Sequence, residues 1–286
     1  MINLNTLIKL YIKKFNEVGL DNPLNEIRYL IKEKINLTLL KQITENNIVL
    51  NNKEEIKLKN TFNRRLKREP IERILNKKEF RDIKLNLNKY TFVPRSETEI
   101  LIDIIVKNKI NPNKILELGT GSGAISIALL KTFPKSEIIA TDINIKALEL
   151  AKKNATKNKV IDQISFICCN WLDSFVNSNF DLIVANPPYI KTEVIKDLDP
   201  EVKYHDPLIA LDGGNDGLVA YKKIITALKP LLKPNSVILF EIGYDQGKKV
   251  LKLMKENEIM YVKILKDYSK NPRFVLGTNI RNLIKC

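Results

Sequence analysis

Cysteine is scarce in this sequence, with three residues among 286. Cys168 and Cys169 are adjacent within an apolar segment, and the third is Cys286. This arrangement offers neither a disulfide framework nor the spacing of metal ligands. We therefore expect a protein of a reducing compartment, the cytoplasm, that uses no metal ion.

Long apolar runs are missing as well. None reaches the roughly 18–20 residues needed to cross a bilayer, and the first residues do not form a secretory signal pattern. The sequence therefore predicts no membrane partner. Hydrophobic residues still make up 44% of the chain, which is ample for a buried core. A length of 286 residues suits one domain of ~190 residues with a smaller domain beside it.

Acidic residues are outnumbered by basic ones, 33 against 48, which gives a net charge of +15. A surplus of this sign steers acidic partners toward a protein. The lysines, however, are scattered singly and in pairs, without the interleaved aromatic residues of a nucleic-acid groove. Lys, Asn and Ile, whose codons are rich in A and T, dominate the composition. We attribute the charge to compositional bias and expect no stable nucleic-acid partner.

The first quarter of the chain has the apolar period of helices. Residues 1–75 predict a small helical domain, and Asp21-Asn22-Pro23 is a helix-start signal within it. From 76 to 93, apolar residues alternate and turn-forming residues follow, which predicts a β-hairpin connector. The alternating apolar residues are Ile83, Leu85 and Leu87, and the turn-forming ones are Asn86, Asn88 and Lys89.

Residues 94–286 alternate between strand and helix patterns, which predicts an α/β domain with a seven-stranded sheet and a site along its carboxyl edge. The last two strands are separated by only the segment 267–272. Parallel strands need a crossover of a dozen or more residues, so we expect this pair to be antiparallel. The predicted strands are 114–119, 137–142, 163–169, 180–186, 236–243, 260–266 and 273–279.

A glycine-rich turn follows the first of these strands. Gly119, Gly121 and Gly123 precede an apolar helix, and the next strand ends in Asp142. Glycine permits close backbone approach, and a carboxylate accepts hydrogen bonds from ribose hydroxyls. This combination predicts a nucleotide-type site. The G-x-G-x-G spacing departs from the dinucleotide pattern G-x-G-x-x-G, which is weak evidence against a nicotinamide cofactor.

The tetrapeptide Asn186-Pro187-Pro188-Tyr189 directly follows the strand 180–186. The Asn186 side-chain oxygen and the Pro187 backbone oxygen can accept both protons of a planar NH2 group, while Tyr189 packs against its flat face. The proline pair forces the chain out of the strand. Such a clamp suits methyl transfer to nitrogen, and together with the glycine spacing it favours S-adenosylmethionine as the methyl donor.

These motifs resemble the class I methyltransferases that modify protein glutamine, and more narrowly the bacterial release factor glutamine N5-methyltransferases, the HemK/PrmC family. The resemblance covers nearly the whole chain. It rests on the segments 92–99, 119–123, 170–171, 186–189 and 206–218, together with Asp142. The chain departs from the family's pattern at four positions: Asn76, Ser96, Asn170 and Asp206 stand where Gly, Pro, Asp and Glu are usual.

The resemblance implies a Rossmann-like methyltransferase domain over 94–286 that depends on S-adenosylmethionine, and a substrate-docking role for residues 1–75. It also implies the reaction, methylation of N5 of the glutamine in the Gly-Gly-Gln motif of peptide chain release factors. The expected catalytic residues are Asn186, Pro187 and Tyr189, with Pro188 joining them in substrate binding. The expected cofactor-binding residues are Gly119, Thr120, Gly121, Ser122, Gly123, Asp142, Trp171 and Asn186.

Several side chains have two interpretations. Trp171 stacks on adenine or belongs to the core, and its position after the third strand favours stacking. Glu117 reaches either the cofactor's ammonium group or a helix terminus. We expect Arg95 to anchor the turn between the domains, and the lone His205 to be a solvated loop residue rather than a base.

Other functions remain open at this point. An adenine-N6 or cytosine-N4 methyltransferase is the alternative, because an exocyclic amine presents the same planar NH2 group; such an enzyme needs base flipping and an electrostatic groove. The helical domain and the segment 206–218 favour protein glutamine. A nicotinamide oxidoreductase or a non-catalytic nucleotide-binding module is disfavoured by the glycine spacing and by the lack of a hydride-relay residue.

Overall fold

A computed structural model describes residues 2–176, 179–281 and 283, so Cys286 lies outside the described residues. The chain forms two compact units: the residues up to Asn76 with Asp199–His205, and Lys77–Leu198 with the described residues from Asp206 onward. The helices are α1 Leu4–Glu17, α2 Pro23–Ile35, α3 Leu39–Thr44, α4 Asn52–Leu66, α5 Ile71–Leu75, α6 Ile100–Lys107, α7 Ala124–Thr132, α8 Ile145–Lys157, α9 Pro200–Lys203, α10 Val219–Ala227 and α11 Gly247–Glu256. The strands are β1 Lys77–Phe80, β2 Ile83–Asn86, β3 Lys114–Leu118, β4 Glu137–Asp142, β5 Ile164–Cys168, β6 Phe180–Ala185, β7 Leu232–Glu241, β8 Tyr261–Lys266 and β9 Pro272–Thr278.

The helical unit packs amphipathic helices around its own apolar core. Helix α2 begins at Pro23, as the Asp21-Asn22-Pro23 signal predicts. Helix α4 begins with a capping box, in which Asn51 and Glu54 bond each other's backbone N–H groups. Buried aromatic rings, Tyr11, Phe15 and Phe62, meet edge-on or tilted at its centre. The predicted helical character of this region is confirmed. None of the described helices, in either unit, is long and apolar enough to cross a bilayer.

A short segment from far along the chain completes the helical unit. Glu201 of α9 accepts a hydrogen bond from Arg65 Nη1 at 3.0 Å and lies 2.7 Å from Arg68 Nε. Arg65, 7% exposed, also donates to both carboxylate oxygens of Glu26, at 2.7 and 3.0 Å. The sequence pattern alone places the segment 199–205 in the second domain. In the structure it clusters with the helices, because Glu201 supplies a second counter-charge to a buried guanidinium.

Replacement of Arg65 by alanine should therefore destabilise the helical unit. Removal of one partner from a buried ion pair costs about 3–5 kcal/mol, and the partly exposed carboxylates place this case near the lower end, about 3 kcal/mol. Hydrogen exchange of α2 and α4, followed by mass spectrometry, measures the free energy of opening of this unit. The matched control is Lys59→Ala on the same helix, whose pair with Glu55 is only partly buried; it should change exchange far less. Equal exchange in the two variants would contradict the buried role of Arg65.

Strands β1 and β2 form an antiparallel hairpin. The predicted hairpin is present, but its turn lies at Arg81 and Asp82 rather than among the turn-forming residues from Asn86 onward, and Arg81 adopts a φ of +48°. The reason is a tertiary contact. The backbone N–H of Asn86 donates to Asn154 Oδ1 at 2.8 Å, and Asn154 Nδ2 donates back to the Asn86 carbonyl at 3.1 Å. This exchange with α8 holds Asn86 at the end of the strand.

The second unit contains a seven-stranded sheet in the order β5-β4-β3-β6-β7-β9-β8. Strands β3 to β7 run parallel, and β9 is antiparallel to both β7 and β8. The predicted seven strands and the antiparallel final pair are confirmed. One face is covered by α6, α7, α8 and the hairpin, and the other by α10 and α11. Both faces are buried, which explains why apolar and polar residues do not alternate along the parallel strands.

The strand order fixes where the site lies. At the end of β3, Leu118 pairs with Thr141 of β4 on one side and with Ala185 of β6 on the other. The residues that follow these strand ends are therefore brought to the same carboxyl edge, at the point where the strand order reverses. In doubly wound sheets this is the place where ligands bind.

Candidate active site

The glycine-rich turn after β3 is held against β4 by backbone hydrogen bonds. The Thr120 N–H donates to the Thr141 carbonyl at 2.8 Å, and the Gly121 N–H donates to Asp142 Oδ2 at 2.9 Å. Gly119, Gly121 and Gly123 all have positive φ values, of 74°, 54° and 82°, which side chains with a Cβ rarely adopt. A Cβ added at Gly121 would meet no atom within 4 Å. The turn thus leaves open space directly above its central glycine.

Asp142 ends β4 with its carboxylate turned toward this glycine turn. Its other oxygen accepts from the Asn144 N–H at 2.9 Å. Burial raises the pKa of Asp142, against the opposing effect of the N–H groups of Asn144, Gly121 and Ile143. A carboxylate has about four lone-pair positions, so these backbone hydrogen bonds leave capacity to accept a hydroxyl donor.

Glu117 lies inside the turn rather than above it. Its Oε2 accepts from Thr120 Oγ1 at 2.7 Å, from the Ser126 N–H at 3.1 Å and from the Ser126 hydroxyl. Burial raises its pKa to about 7, and the hydrogen bonds from Ser126 and Thr120 oppose that rise. Of the two interpretations of Glu117, the structure shows the helix-terminus contact, because Ser126 belongs to the first turn of α7.

Trp171 lies beside the turn. A Cβ added at Gly119 would lie 3.5 Å from the Trp171 ring, and part of the ring packs on the apolar core below α10. Thr120 and Ser122 are buried, and the Thr120 hydroxyl is occupied by Glu117. The stacking role of Trp171 and the cofactor roles of Thr120 and Ser122 stay predictions.

The tetrapeptide 186–189 leaves β6 at the same edge. Asn186 is half-buried with its Nδ2 3.4 Å from Thr98 Oγ1, and Pro187 is buried. Within the described residues, no donor bonds the Asn186 side-chain oxygen or the Pro187 carbonyl oxygen. The two acceptors of the expected clamp are therefore not used by the protein itself.

A return loop fixes the backbone of this tetrapeptide. The Gly213 N–H donates to the Ile190 carbonyl at 2.8 Å, and the Ile190 N–H donates to the Leu211 carbonyl at 3.0 Å. Buried Gln246 donates to the Tyr189 carbonyl at 2.8 Å. Sequence reasoning missed Gln246, which lies in the turn after β7 and carries no motif of its own.

A buried polar cluster lies behind the tetrapeptide. Thr98 Oγ1 donates to Glu241 Oε2 at 2.7 Å, and both side chains are buried. Burial raises the pKa of Glu241 to about 7, opposed by the hydrogen bond from Thr98 and the charge of Arg273. Burial and the neighbouring Glu241 raise the pKa of Tyr189 to about 12. Sequence reasoning missed Glu241, although one signal was present: it ends the apolar run of β7 as Asp142 ends β4.

Comparisons with known proteins agree with this geometry. The family described as "PrmC N-terminal domain" matches residues 6–75, and that described as "Methyltransferase small domain" matches residues 96–199. The chain is 36% identical over 267 residues to "Release factor glutamine methyltransferase" of Agrobacterium fabrum, covering 91% of this chain and 92% of that protein. The chain belongs to the release factor glutamine methyltransferase family. It is 34% identical over 277 residues to the Caulobacter vibrioides protein of the same name, covering 95% of this chain and 96% of that one.

Two other matches show how far this family assignment extends. A "Bifunctional methyltransferase" of Rickettsia bellii is 36% identical over 290 residues, and the match spans 92% of this chain but 52% of that longer protein. The solved hMettl16 catalytic domain, in complex with the MAT2A 3'UTR hairpin 6, has a TM-score of 0.58 at 16% identity, covering 90% of this chain and 94% of that one. This likeness supports the methyltransferase fold and nothing finer.

Two departures from the family's pattern have structural explanations. Asn76 follows α5 with a φ of +53° in the left-handed region, where asparagine is the usual substitute for glycine. Asp206 is buried, and its carboxylate lies 3.4 Å from Arg95 Nη2. Arg95 also lies over the Phe92 ring, 5.0 Å from its centroid. Both contacts lie within the second unit, and the role of Arg95 in anchoring the turn between the domains stays a prediction. Nothing in the structure explains Ser96 or Asn170.

His205 lies in the helical unit, with a ring nitrogen 3.1 Å from the Lys67 carbonyl oxygen. That His205 is not a base stays a prediction.

Proposed function

We propose that this protein methylates the side-chain amide nitrogen of the glutamine in the Gly-Gly-Gln motif of peptide chain release factors, with S-adenosylmethionine as the methyl donor. The observation that carries the proposal is the pair of unused acceptors, Asn186 Oδ1 and the Pro187 carbonyl, at the carboxyl edge of a methyltransferase sheet. A side-chain amide has two N–H protons to match them. The names of the Agrobacterium and Caulobacter relatives support the same substrate.

The residues at the glycine turn fit the proposed methyl donor. The space above Gly121 leaves its backbone open to a ligand, Asp142 has acceptor capacity for ribose hydroxyls, and Trp171 lies beside Gly119. When bound, S-adenosylmethionine supplies an electrophilic methyl group on a sulfonium. We propose that Gly119, Gly121 and Gly123 let the donor come close to the backbone, and that the Asn186 region lies where the donor meets the substrate.

The clamp then acts on the nucleophile. An amide nitrogen is a poor nucleophile because its lone pair is delocalised into the carbonyl. Asn186 and Pro187 accept its two protons, favour pyramidal nitrogen and hold the lone pair in line with the methyl group. Such placement is worth ~7–11 kcal/mol of the barrier. The N–C bond forms as the S–C bond breaks, and the positively charged nitrogen, now a strong acid, loses one proton to water.

A protein loop suits this clamp better than a nucleobase. Two glycines beside the target glutamine allow the substrate backbone to approach closely. A base in a duplex must first be unstacked, which costs a few kcal/mol. Asp and Gly are frequent in the loop 191–218, and carboxylates repel phosphates. An adenine or cytosine methyltransferase is therefore the less favoured function.

The test is label transfer from methyl-labelled S-adenosylmethionine. The arms are a bacterial release factor, its variant with the loop Gln replaced by Ala, a short Gly-Gly-Gln peptide and total nucleic acid. We expect label in the intact factor and none in the variant or in nucleic acid. We also propose that the helical unit docks the folded substrate, supported by the match of residues 6–75 to the PrmC N-terminal family. The short peptide should therefore be labelled far more slowly. Label in nucleic acid would overturn the assignment.

Asp142→Ala should weaken binding of S-adenosylmethionine by roughly 10–100-fold, because hydrogen bonds to a charged group are worth about 1.5–3 kcal/mol. It also removes the carboxylate that accepts from the Gly121 N–H. Isothermal titration calorimetry measures the dissociation constant. The control is Asp162→Ala, an exposed carboxylate after α8, which should bind as the unaltered protein does. Unchanged affinity in Asp142→Ala would show that the donor does not use this carboxylate.

A further inference from the structure

A relay of hydrogen bonds connects the clamp to a buried carboxylate. Asn186 Nδ2 lies 3.4 Å from Thr98 Oγ1, and Thr98 Oγ1 lies 2.7 Å from Glu241 Oε2. Thr98 is 3% exposed and Glu241 is 2% exposed, so water does not compete for either group. The relay joins the end of β6, the turn 96–99 and the end of β7.

The polarity of this relay is fixed at its Glu241 end while that carboxylate is ionised. An ionised carboxylate only accepts hydrogen bonds, whereas a hydroxyl has one proton to donate. Thr98 therefore gives its proton to Glu241 and offers a lone pair to Asn186. Asn186 must meet that lone pair with its NH2 group. Its oxygen then faces away from Thr98, toward the space where the clamp requires an acceptor.

This direction matters because the two ends of an amide have nearly the same shape but opposite hydrogen-bonding character. A reversed Asn186 would present N–H donors to the N–H donors of a substrate amide. Both groups would then be left without a hydrogen-bond partner, which is costly for buried polar groups. The orientation of a single side chain thus decides whether the clamp attracts or repels its substrate.

We propose that Glu241 is a positioning residue that sets the orientation of the Asn186 amide through Thr98. The inference deepens the proposed function and rests on it, since it concerns how the same clamp recognises an NH2 group. Glu241 does not touch the reacting atoms in this scheme. It acts only by defining which end of Asn186 faces the substrate.

The relay is polarised only while Glu241 is ionised. Its raised pKa, about 7, places the ionised form above neutral pH and the protonated form below it. A protonated Glu241 can donate to Thr98, whose own proton can then turn toward Asn186 and reverse it. The charge of Arg273, the hydrogen bond from Thr98 and the nearby Asn186 amide favour the ionised form. The other titratable groups that face Glu241 are Glu97, Tyr189 and Tyr221.

The experiment compares the unaltered protein with Thr98→Val, Thr98→Ser and Glu241→Gln. Thr98→Val keeps the side-chain shape but removes the relay hydroxyl, and Thr98→Ser keeps the hydroxyl. We expect kcat for the release factor to fall at least tenfold in Thr98→Val, with intermediate loss in Glu241→Gln and near-complete retention in Thr98→Ser. The dissociation constant of S-adenosylmethionine, measured on the same preparations, should stay within about twofold and shows that each variant is folded.

Two measurements distinguish a positioning role of Glu241 from a purely structural one. In the unaltered protein, kcat should fall as pH drops below about 7, and this fall should be absent in Thr98→Val, where the relay is already broken. A release factor whose loop Gln is replaced by Glu presents acceptors instead of donors. This Glu-substituted factor should be a weak competitive inhibitor of the unaltered protein. It should inhibit Thr98→Val and Glu241→Gln at least threefold more strongly.

Full kcat in Thr98→Val, or equal competition by the Glu-substituted factor across all four proteins, would overturn the inference. Failure of the proposed function has a different signature, because the unaltered protein itself would then transfer no label to the release factor. In that case the pH dependence and the ranking of the variants would be measured on the substrate that does accept label. The inference predicts the same ranking of the variants for any substrate that accepts the methyl group on an NH2 nitrogen. A different ranking would again refute the inference.

Discussion

Asn186→Ala should lower the turnover of the release factor by about 10²–10³-fold, the loss typical of removing one preorganised polar group that acts in the transition state. The substitution leaves only the Pro187 carbonyl to orient the amide nitrogen. Affinity for S-adenosylmethionine should change far less, because Asp142 and the glycine turn lie on other strand ends. Single-turnover label transfer measures the first quantity, and calorimetry measures the second.

The control is Asn215→Ala, an exposed asparagine in the return loop that follows the clamp. It removes the same amide group without touching the tetrapeptide, and its turnover should equal that of the unaltered protein. Near-full turnover by Asn186→Ala would mean that this side chain does not hold the substrate. A parallel loss of turnover and donor affinity would instead indicate a general disturbance of the sheet edge.

Gly213→Ala should lower turnover by about 100-fold, although Gly213 is not expected to touch either substrate. An added Cβ would lie 2.8 Å from Tyr189 Cα and 2.9 Å from both the Pro188 and Gly217 carbonyl oxygens. These are backbone atoms, which cannot swing aside as the end of a flexible side chain can. The tetrapeptide must therefore move, and a misplacement of ~1 Å costs on the order of 10² in rate.

The release factor assay measures this loss, and the near-ultraviolet spectrum of the protein checks that the fold is kept. Asn215→Ala, two residues along the same loop, again serves as the control. Donor affinity should be retained, because Gly213 lies outside the glycine turn. If Gly213→Ala turned over substrate at the normal rate, the return loop would not determine the position of the clamp.

Features of the fold that depend on neighbouring residues can be predicted from local sequence patterns. Apolar runs predict the strands, and the segment 267–272 is too short for a crossover, which fixes the antiparallel final pair. The placement of Asp142 and Asn186 follows from the same logic, because residues after parallel strands meet at one edge. The strand ends on which these two residues lie can therefore be predicted from the sequence, although their roles remain proposals.

Long-range pairings cannot be predicted in this way. Thr98 and Glu241 are 143 residues apart, and neither residue type signals a partner that distant. The close approach at Gly213 depends on the path of a return loop, which no periodicity describes. The hairpin turn is displaced toward Arg81 because Asn154, on another element, holds Asn86. In each case a contact between distant segments decides the outcome, not a propensity.

The discontinuous helical unit has a consequence for synthesis of the protein. Helices α1 to α5 leave the ribosome before Asp199–His205, which follow only after roughly 120 further residues. At about 5–20 residues per second, that interval is on the order of ten seconds. Throughout it, Arg65 has Glu26 as a counter-charge but not Glu201. The nascent helical unit is therefore less stable than the finished one, and it gains its last ion pairs only after much of the sheet has been made.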